Sequence, residues 1–291
     1  MTSESVGLDL SEVVARLRAA GCVYAEDEAT LLLEAARDDA VGLERLVSAR
    51  VAGAPLEPLL GWVAFAGLRI AVGPGVFVPR VRTELLVEQA LARLDDLAQS
   101  GGKAVVVELC CGVAAVAAVL QRSGQIRESY AADIDPVAVG YARQNLTESA
   151  VALIGDLYDP LPAALHGRVD VIVANAPYVP TEAITLMPRE ARDHEPHQAL
   201  DGGGDGADVH RRIIAEAPSW LRAGGHLLIE TGRDQAVITA GEMRQAGFEV
   251  EVVIDDERDA TVTVGSLVRP IHGTNPWLND DGGRDTPTRA V

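Results

Sequence analysis

The chain has 291 residues, 48% of them apolar, enough to bury one large core or a main domain with a smaller companion. Its 43 acidic against 25 basic residues leave a formal charge of −18, which argues against direct capture of a nucleic-acid backbone, a task that needs a basic face. Three cysteines, Cys22 and the adjacent Cys110 and Cys111, give neither an even disulfide framework nor paired Cys-x-x-Cys ligand spacing, so a reducing cytoplasm is the expected home. The N-terminus lacks the basic and apolar regions of a secretory signal, and no apolar run reaches membrane-spanning length.

In chain order, apolar residues first recur at helical spacing in three groups: Leu10, Val13, Val14 and Leu17; Ala29, Leu32, Leu33 and Ala36; Leu43, Leu46, Val47 and Val51. They predict a small helical domain over residues 1–57, expected to recognise the substrate. The period changes to two at Val63 and Phe65 and again at Leu68, Ile70 and Val72, with Gly67 for the turn, which predicts a β-hairpin linker over 58–79.

From residue 80 to 269 strand and helix patterns alternate. Apolar runs at 103–109, 129–134, 150–154, 169–174, 225–230, 248–254 and 261–267 predict seven strands. Asp135 followed by Pro136 reads as an N-cap with proline at the first helical position. The alternation predicts an α/β, Rossmann-like fold with a doubly wound, mostly parallel sheet. Thr261-Val262-Thr263-Val264 suits an antiparallel closing strand. Residues 270–291, rich in Gly, Pro, Asp and Thr, predict a disordered tail.

Ligands of doubly wound sheets bind beyond the carboxyl ends of the strands, so residues at those ends are the candidates. Glu108-Leu109-Cys110-Cys111-Gly112 closes the first strand with an acid and a turn containing one glycine. As a glycine motif this is weak, and a plain strand-to-helix turn explains it equally well. Asp133 ends the second strand 25 positions after Glu108, near the interval at which a carboxylate takes ribose hydroxyls, with Ile134 beside it in the same pocket. Gly155-Asp156-Leu157 follows the third strand, where Asp156 can accept from an adenine amino group and Leu157 can cover the ring. Each acid alone reads as a helix cap or a surface charge; three at consecutive strand ends favour a site. The absence of a second phosphate-gripping turn favours a nucleoside without phosphates, a description that S-adenosylmethionine meets.

The fourth strand ends in Asn175-Ala176-Pro177-Tyr178. Asn175 offers a side-chain carbonyl and Ala176 a backbone carbonyl, two acceptors able to hold a planar nitrogen, and Tyr178 can stack on that plane. A turn opened by asparagine is the plain alternative for the tetrapeptide alone.

Further segments accompany it. From about Glu57 to Leu267 the sequence resembles the HemK-type protein-(glutamine-N(5)) methyltransferases that modify peptide chain release factors. Pro58 to Gly61, Gly67-Leu68 and Pro74-Gly75-Val76 resemble the family's interdomain segment, and Val78-Pro79-Arg80-Val81-Arg82-Thr83-Glu84 resembles its Pro-Arg-Pro-x-Thr-Glu motif. Glu195-Pro196 with Ala199 to Gly203 and Asp205-Gly206 resembles the loop after the acceptor motif. The resemblance implies that Glu108, Cys110, Gly112, Asp133, Ile134, Asp156, Leu157 and Asn175 line an S-adenosylmethionine site. It implies as well that Asn175, Ala176, Pro177 and Tyr178 form the catalytic acceptor motif, acting on a protein such as a release factor. Two features depart from the family pattern: Ala176 replaces a proline, and Cys110 and Ala114 stand where the cofactor turn usually has glycine. These departures motivate two alternatives, a relative redirected to a small-molecule acceptor and a non-catalytic binding module that keeps the fold.

Other groups give weaker patterns. His194 and His197 lack a third ligand and read as solvated loop residues. Adjacent Cys110 and Cys111 read as packing residues rather than nucleophiles. Arg80, Arg82 and Glu84 read as a structural network or a lid. The glycine-rich run from Asp201 to Asp208 reads as a flexible turn without the closing Glu of a calcium loop.

Overall fold

The computed structural model describes residues 9–268; the tail expectation for 270–291 lies outside the described residues. Three helices come first: α1 (Leu10–Ala19), α2 (Ala25–Ala36) and α3 (Ala40–Val51). Asp9 and Asp39 cap α1 and α3 by accepting from the backbone N–H of Glu12 and Val41, satisfying donors a helix start leaves free. Their apolar stripes enclose Val13, Leu17, Ala29, Leu32, Leu43 and Val47. A short fourth helix, α4 (Leu56–Leu60), runs across the expected 57/58 boundary, and its Leu56 and Leu60 pack against the same cluster.

Strands β1 (Trp62–Phe65) and β2 (Leu68–Ala71) form the antiparallel hairpin. Its two turn residues, Ala66 and Gly67, both have positive φ, the geometry whose twist matches a two-residue hairpin. Asn145 fixes the hairpin to the main body: its side-chain oxygen accepts from the Ala71 N–H at 2.7 Å, while its nitrogen donates to the carbonyls of Ala71 and Val113.

The main body comprises α5 (Glu84–Gln99), β3 (Ala104–Leu109), α6 (Ala115–Gln121), β4 (Ile126–Asp133), α7 (Pro136–Asn145), β5 (Ala150–Ile154), β6 (Val169–Ala174), α8 (Arg189–His194), α9 (Asp208–Trp220), β7 (Leu221–Glu230), α10 (Arg233–Gln245), β8 (Phe248–Asp255) and β9 (Ala260–Leu267). The seven strands lie in the order β5-β4-β3-β6-β7-β9-β8. All neighbours are parallel except β9, which pairs antiparallel with both β7 and β8, as the Thr261 to Val264 alternation suggested. Strands β4 and β7 start earlier than their apolar runs, at Ile126 and Leu221, because ladder pairing continues through residues with polar or small side chains.

Period two divides the central strands between two cores. Val106, Val171, Val173 and Leu228 face α5 and α6 through Leu86, Ala90 and Val116. Val105, Val107, Ile172, Leu227 and Ile229 face α9 and α10 through Ile213, Ala217 and Met243. Burial of each such Val, Leu or Ile contributes about 1.5–3 kcal/mol, so both faces must stay covered. Strand order reverses between β3, which leads to β4 and β5, and β6, on its other side. The crevice at their carboxyl ends is the topological switch point.

Candidate active site

The turn after β3 carries the first group of predicted residues. Cys110, Gly112 and Ala114 all have positive φ, at 50°, 52° and 58°. Only Gly112 adopts this conformation without steric cost; an L side chain there costs on the order of 1–2 kcal/mol. Glu108 is buried, and its Oε2 accepts the Ala117 N–H at 2.7 Å, so its carboxyl faces the start of α6. Burial, helped by the nearby Asp133, raises the Glu108 carboxyl to about 8 against the opposing N–H groups of Ala117 and Val116. Burial also drives the thiols of Cys110 and Cys111 upward, which keeps them neutral and disfavours nucleophilic roles.

Asp133 ties the second strand end to this turn. One oxygen accepts from Gly112 N–H at 2.7 Å and the other from Asp135 N–H at 2.9 Å, and each retains a lone pair. Asp135 caps α7 through Val137 N–H, with Pro136 in the first turn. Ile134, 57% exposed, offers an open apolar surface beside Asp133. At the third strand end, Asp156 accepts from Arg212 at 2.6 Å in an exposed ion pair, and Leu157 is buried with φ of 47°. Above Gly112 a side chain would meet only open space. An open cradle, a carboxylate with free lone pairs and an exposed apolar residue fit an uncharged nucleoside with its ribose on Asp133.

Asn175 follows β6, and Glu230 ends β7; because Ala174 pairs with Ile229, the two polar residues are neighbours across the sheet. Asn175 Nδ2 donates to Thr83 Oγ1 at 3.1 Å, which leaves its carbonyl oxygen free to accept. Thr83 belongs to the segment before α5, where three side chains hold the surroundings. Arg80 makes a two-pronged bond to Glu195 at 2.7 and 2.8 Å. Arg82 reaches the Tyr178 hydroxyl at 3.5 Å, and Glu84 accepts from Ala66 N–H in the hairpin turn. The network role expected for Arg80, Arg82 and Glu84 thus has defined partners.

Ala176 is 1% exposed, and its backbone lies beside His210 of α9, whose Nδ1 is 2.9 Å from the Thr239 hydroxyl. Burial lowers His210 to about 4, so the imidazole behind the acceptor motif is neutral at physiological pH. Burial raises the Tyr178 hydroxyl to about 12, assisted by Glu230 and opposed by Arg82, and keeps it protonated.

The run from Asp201 to Asp208 departs from the flexible turn expected of it. Val179 N–H donates to Leu200, Gly202 N–H donates to Val179, and Val179 and Asp201 form a parallel bridge. A side chain at Gly202 would lie 2.8 Å from the Pro177 carbonyl oxygen, and one at Gly206 would collide with that of Tyr178. These glycines permit contact with the acceptor motif rather than motion. His194 ends α8, and His197 lies 3.7 Å from Asp201 at the surface. A separate surface cavity of about 340 Å³, lined by Tyr158, His166, Glu216 and Trp220 among others, includes none of the predicted site residues.

Thr83, Glu230, His210 and Asn145 were not singled out by sequence reasoning. Glu230 carried the same signal as Glu108, an acid closing an apolar strand, and Thr83 sat inside a motif recognised only as a segment.

Strand order and crevice define a Rossmann-like fold, and the chain's relatives make it an S-adenosylmethionine-dependent methyltransferase. A model of the methyltransferase small domain matches residues 70–205. The fold resembles a methyltransferase from Pyrococcus furiosus with a TM-score of 0.51 at 17% identity, covering 70% of this chain and 90% of that one. Over 227 residues the chain is 31% identical to the release factor glutamine methyltransferase of Thermodesulfovibrio yellowstonii, covering 77% of this chain and 80% of the relative. It is 34% identical to that of Geobacter sulfurreducens, covering 70% of this chain and 69% of the relative. It is 43% identical to that of Mycolicibacterium smegmatis over 64% of this chain and 65% of the relative. The chain belongs to the release factor glutamine methyltransferase family. These relatives favour neither the small-molecule alternative nor the non-catalytic one.

Proposed function

We propose that this chain methylates the side-chain amide nitrogen of a glutamine in a protein, a peptide chain release factor, in the cytoplasm. The observation that carries this is the tethering of Asn175: with its nitrogen committed to Thr83, its carbonyl oxygen is presented at the switch point as an acceptor for a substrate N–H. The Ala176 carbonyl supplies the second acceptor, Pro177 fixes the direction of the backbone, and Tyr178 bounds the substrate plane. Asp133 and Ile134 would hold the ribose and adenine of S-adenosylmethionine, with Leu157 and Asp156 at the pocket edge, and the turn from Glu108 to Gly112 would receive the methionine portion.

S-adenosylmethionine supplies an electrophilic methyl group on a positively charged sulfur. Asn175 and Ala176 hold both amide protons so that the nitrogen lone pair is drawn out of conjugation and aimed along the line of transfer. With the donor bound, this hold would point the nitrogen at the methyl group, and the proton that the methylated nitrogen gives up would leave to solvent. Positioning is the main catalytic contribution, since orientation of two reactants can supply about 7–11 kcal/mol of a barrier. The N-terminal helices face the acceptor loop through Arg50, which is 3.2 Å from Glu190 of α8, and this supports a role for them in seating the protein substrate.

The test is incubation of the full chain with methyl-labelled S-adenosylmethionine and a release factor, with the modified residue located by mass spectrometry. The expected product is a single methylated glutamine, absent when that glutamine is replaced by alanine. Saturated cofactor without transfer would overturn the assignment.

A further inference from the structure

Glu230 is a buried carboxyl at the end of β7, and the proposed transfer step does not use it directly. Its Oε2 is buried and has no hydrogen-bond partner among the described residues. The groups facing it are few. The hydroxyls of Thr83 and Tyr178 and the guanidinium groups of Arg82 and Arg80 stabilise its charged form, while its cross-strand partner on β9 is the uncharged Val262. Thr83 is buried as well, and its oxygen already accepts the Asn175 N–H. A hydroxyl that accepts from Asn175 has its own proton left to give, and Glu230, which follows Ile229 on the strand next to the one that Asn175 follows, presents a buried oxygen, without a partner among the described residues, that is open to accept it.

We propose that Glu230 and Thr83 are positioning residues that orient the Asn175 amide: the ionised carboxylate accepts a hydrogen bond from the Thr83 hydroxyl, so that Thr83 in turn accepts from the Asn175 nitrogen and the Asn175 carbonyl oxygen faces the accepting nitrogen. Protonated Glu230 is a weaker acceptor and itself a donor, able to give its O–H to the Thr83 oxygen. Thr83 is then released to donate to the Asn175 oxygen, the amide rotates, and the acceptor is withdrawn from the crevice. Orientation therefore follows the charge on Glu230. Burial, opposed by Thr83, Arg82, Tyr178 and Arg80, raises this carboxyl to about 7. The productive orientation is present above that pH and is lost as pH falls through it. His210, held near 4, and Tyr178, near 12, titrate outside the window.

The inference rests on the acceptor role proposed for Asn175, but it can be read without methyl transfer. The chain contains four asparagines, Asn145, Asn175, Asn275 and Asn279, so asparagine-selective nitrogen-15 labelling of the full protein gives four side-chain amides. That of Asn175 is assigned by its loss in Asn175→Asp. Its two proton signals should shift with a midpoint near pH 7 in the unmodified protein and not in Glu230→Gln. Absence of the titration, or its persistence in Glu230→Gln, overturns the proposal. In the methylation assay, Thr83→Val should lower kcat/KM at least tenfold, mainly in kcat, with cofactor affinity within about twofold, and Thr83→Ser should restore it. Glu230→Gln should flatten the acidic limb of the pH profile. An unmodified protein that shows the amide titration but no transfer would count against the methylation assignment alone. A Thr83→Val protein with unchanged kcat would count against the relay alone.

Discussion

At the end of β6 the backbone is held from outside, whereas at the end of β3 it sustains a costly shape itself. The acceptor motif is touched by Gly202 and Gly206, backed by His210 and tethered through Thr83, and Val179 just after it is bridged to Asp201. Ala176 is less stiff than the proline that the family resemblance leads one to expect there, but the neighbours supply the constraint. The cofactor turn is braced as well, by Asp133 on Gly112, Asn145 on Val113 and the bond from Cys111 N–H to the Ala132 carbonyl, but here the braced shape is one that Cys110 and Ala114 adopt only at a steric cost. A motif can thus lose a residue type harmlessly where packing over-determines the backbone, and at a cost where the residue type was itself the constraint.

The largest expected effect belongs to the acceptor. Asn175→Ala should reduce kcat by about 10²–10³, the loss typical of removing one preorganised polar group, with a much smaller change in cofactor Kd by calorimetry. A loss confined to cofactor binding would erase the contrast between the two ends. The next effect belongs to the cofactor side and concerns pH. Glu108 is raised to about 8, so across pH 4.5 to 8 the folded state retains a proton that the unfolded state has lost. Stability must therefore fall as pH rises through that window, by up to about 1.4 kcal/mol per pH unit from this group. Glu230, raised to about 7, adds a contribution of the same sign. In Glu108→Gln, denaturant midpoints measured from pH 5 to 8 should fall less steeply than in the unmodified chain.

Much of the architecture was legible because it depends on local patterns. Apolar runs marked all seven strands, and Asp135-Pro136 marked the start of α7. What escaped was of two kinds. Thr83 and Asn175 are 92 positions apart, and no periodicity signals a bond between them. The second kind is conformational: cysteine and alanine carry no preference for positive φ, so the shape of the cofactor turn is not visible in their identities. The Asp201 to Asp208 run shows how composition misleads. Its glycines suggested freedom, but Gly202 and Gly206 are there because a β-carbon has no room.

That distinction can be sharpened within one loop. Gly206→Ala places a side chain against the Tyr178 carbonyl at a φ of 80°, and should cost about 1–3 kcal/mol of stability together with a loss of kcat. Gly204→Ala, two positions earlier in open space, should stay within about 0.5 kcal/mol. Equal effects at the two sites would mean that the loop does not brace the acceptor motif.

The smallest expected change in stability is at the turn itself. Cys110→Gly with Ala114→Gly relieves two left-handed L-residues, on the order of 1–2 kcal/mol each, but returns about 0.5–1 kcal/mol per glycine to the unfolded chain as entropy. The net gain should be no more than about 2 kcal/mol by chemical denaturation. Cofactor affinity should respond more clearly than stability, because the two substitutions also remove side-chain atoms beside the site. Calorimetry with S-adenosylmethionine should show a tighter Kd in the double variant, with kcat at saturating cofactor nearly unchanged. A change in kcat instead would mean that the turn shapes the methyl-transfer geometry, and that the two ends of the crevice are coupled rather than separately built.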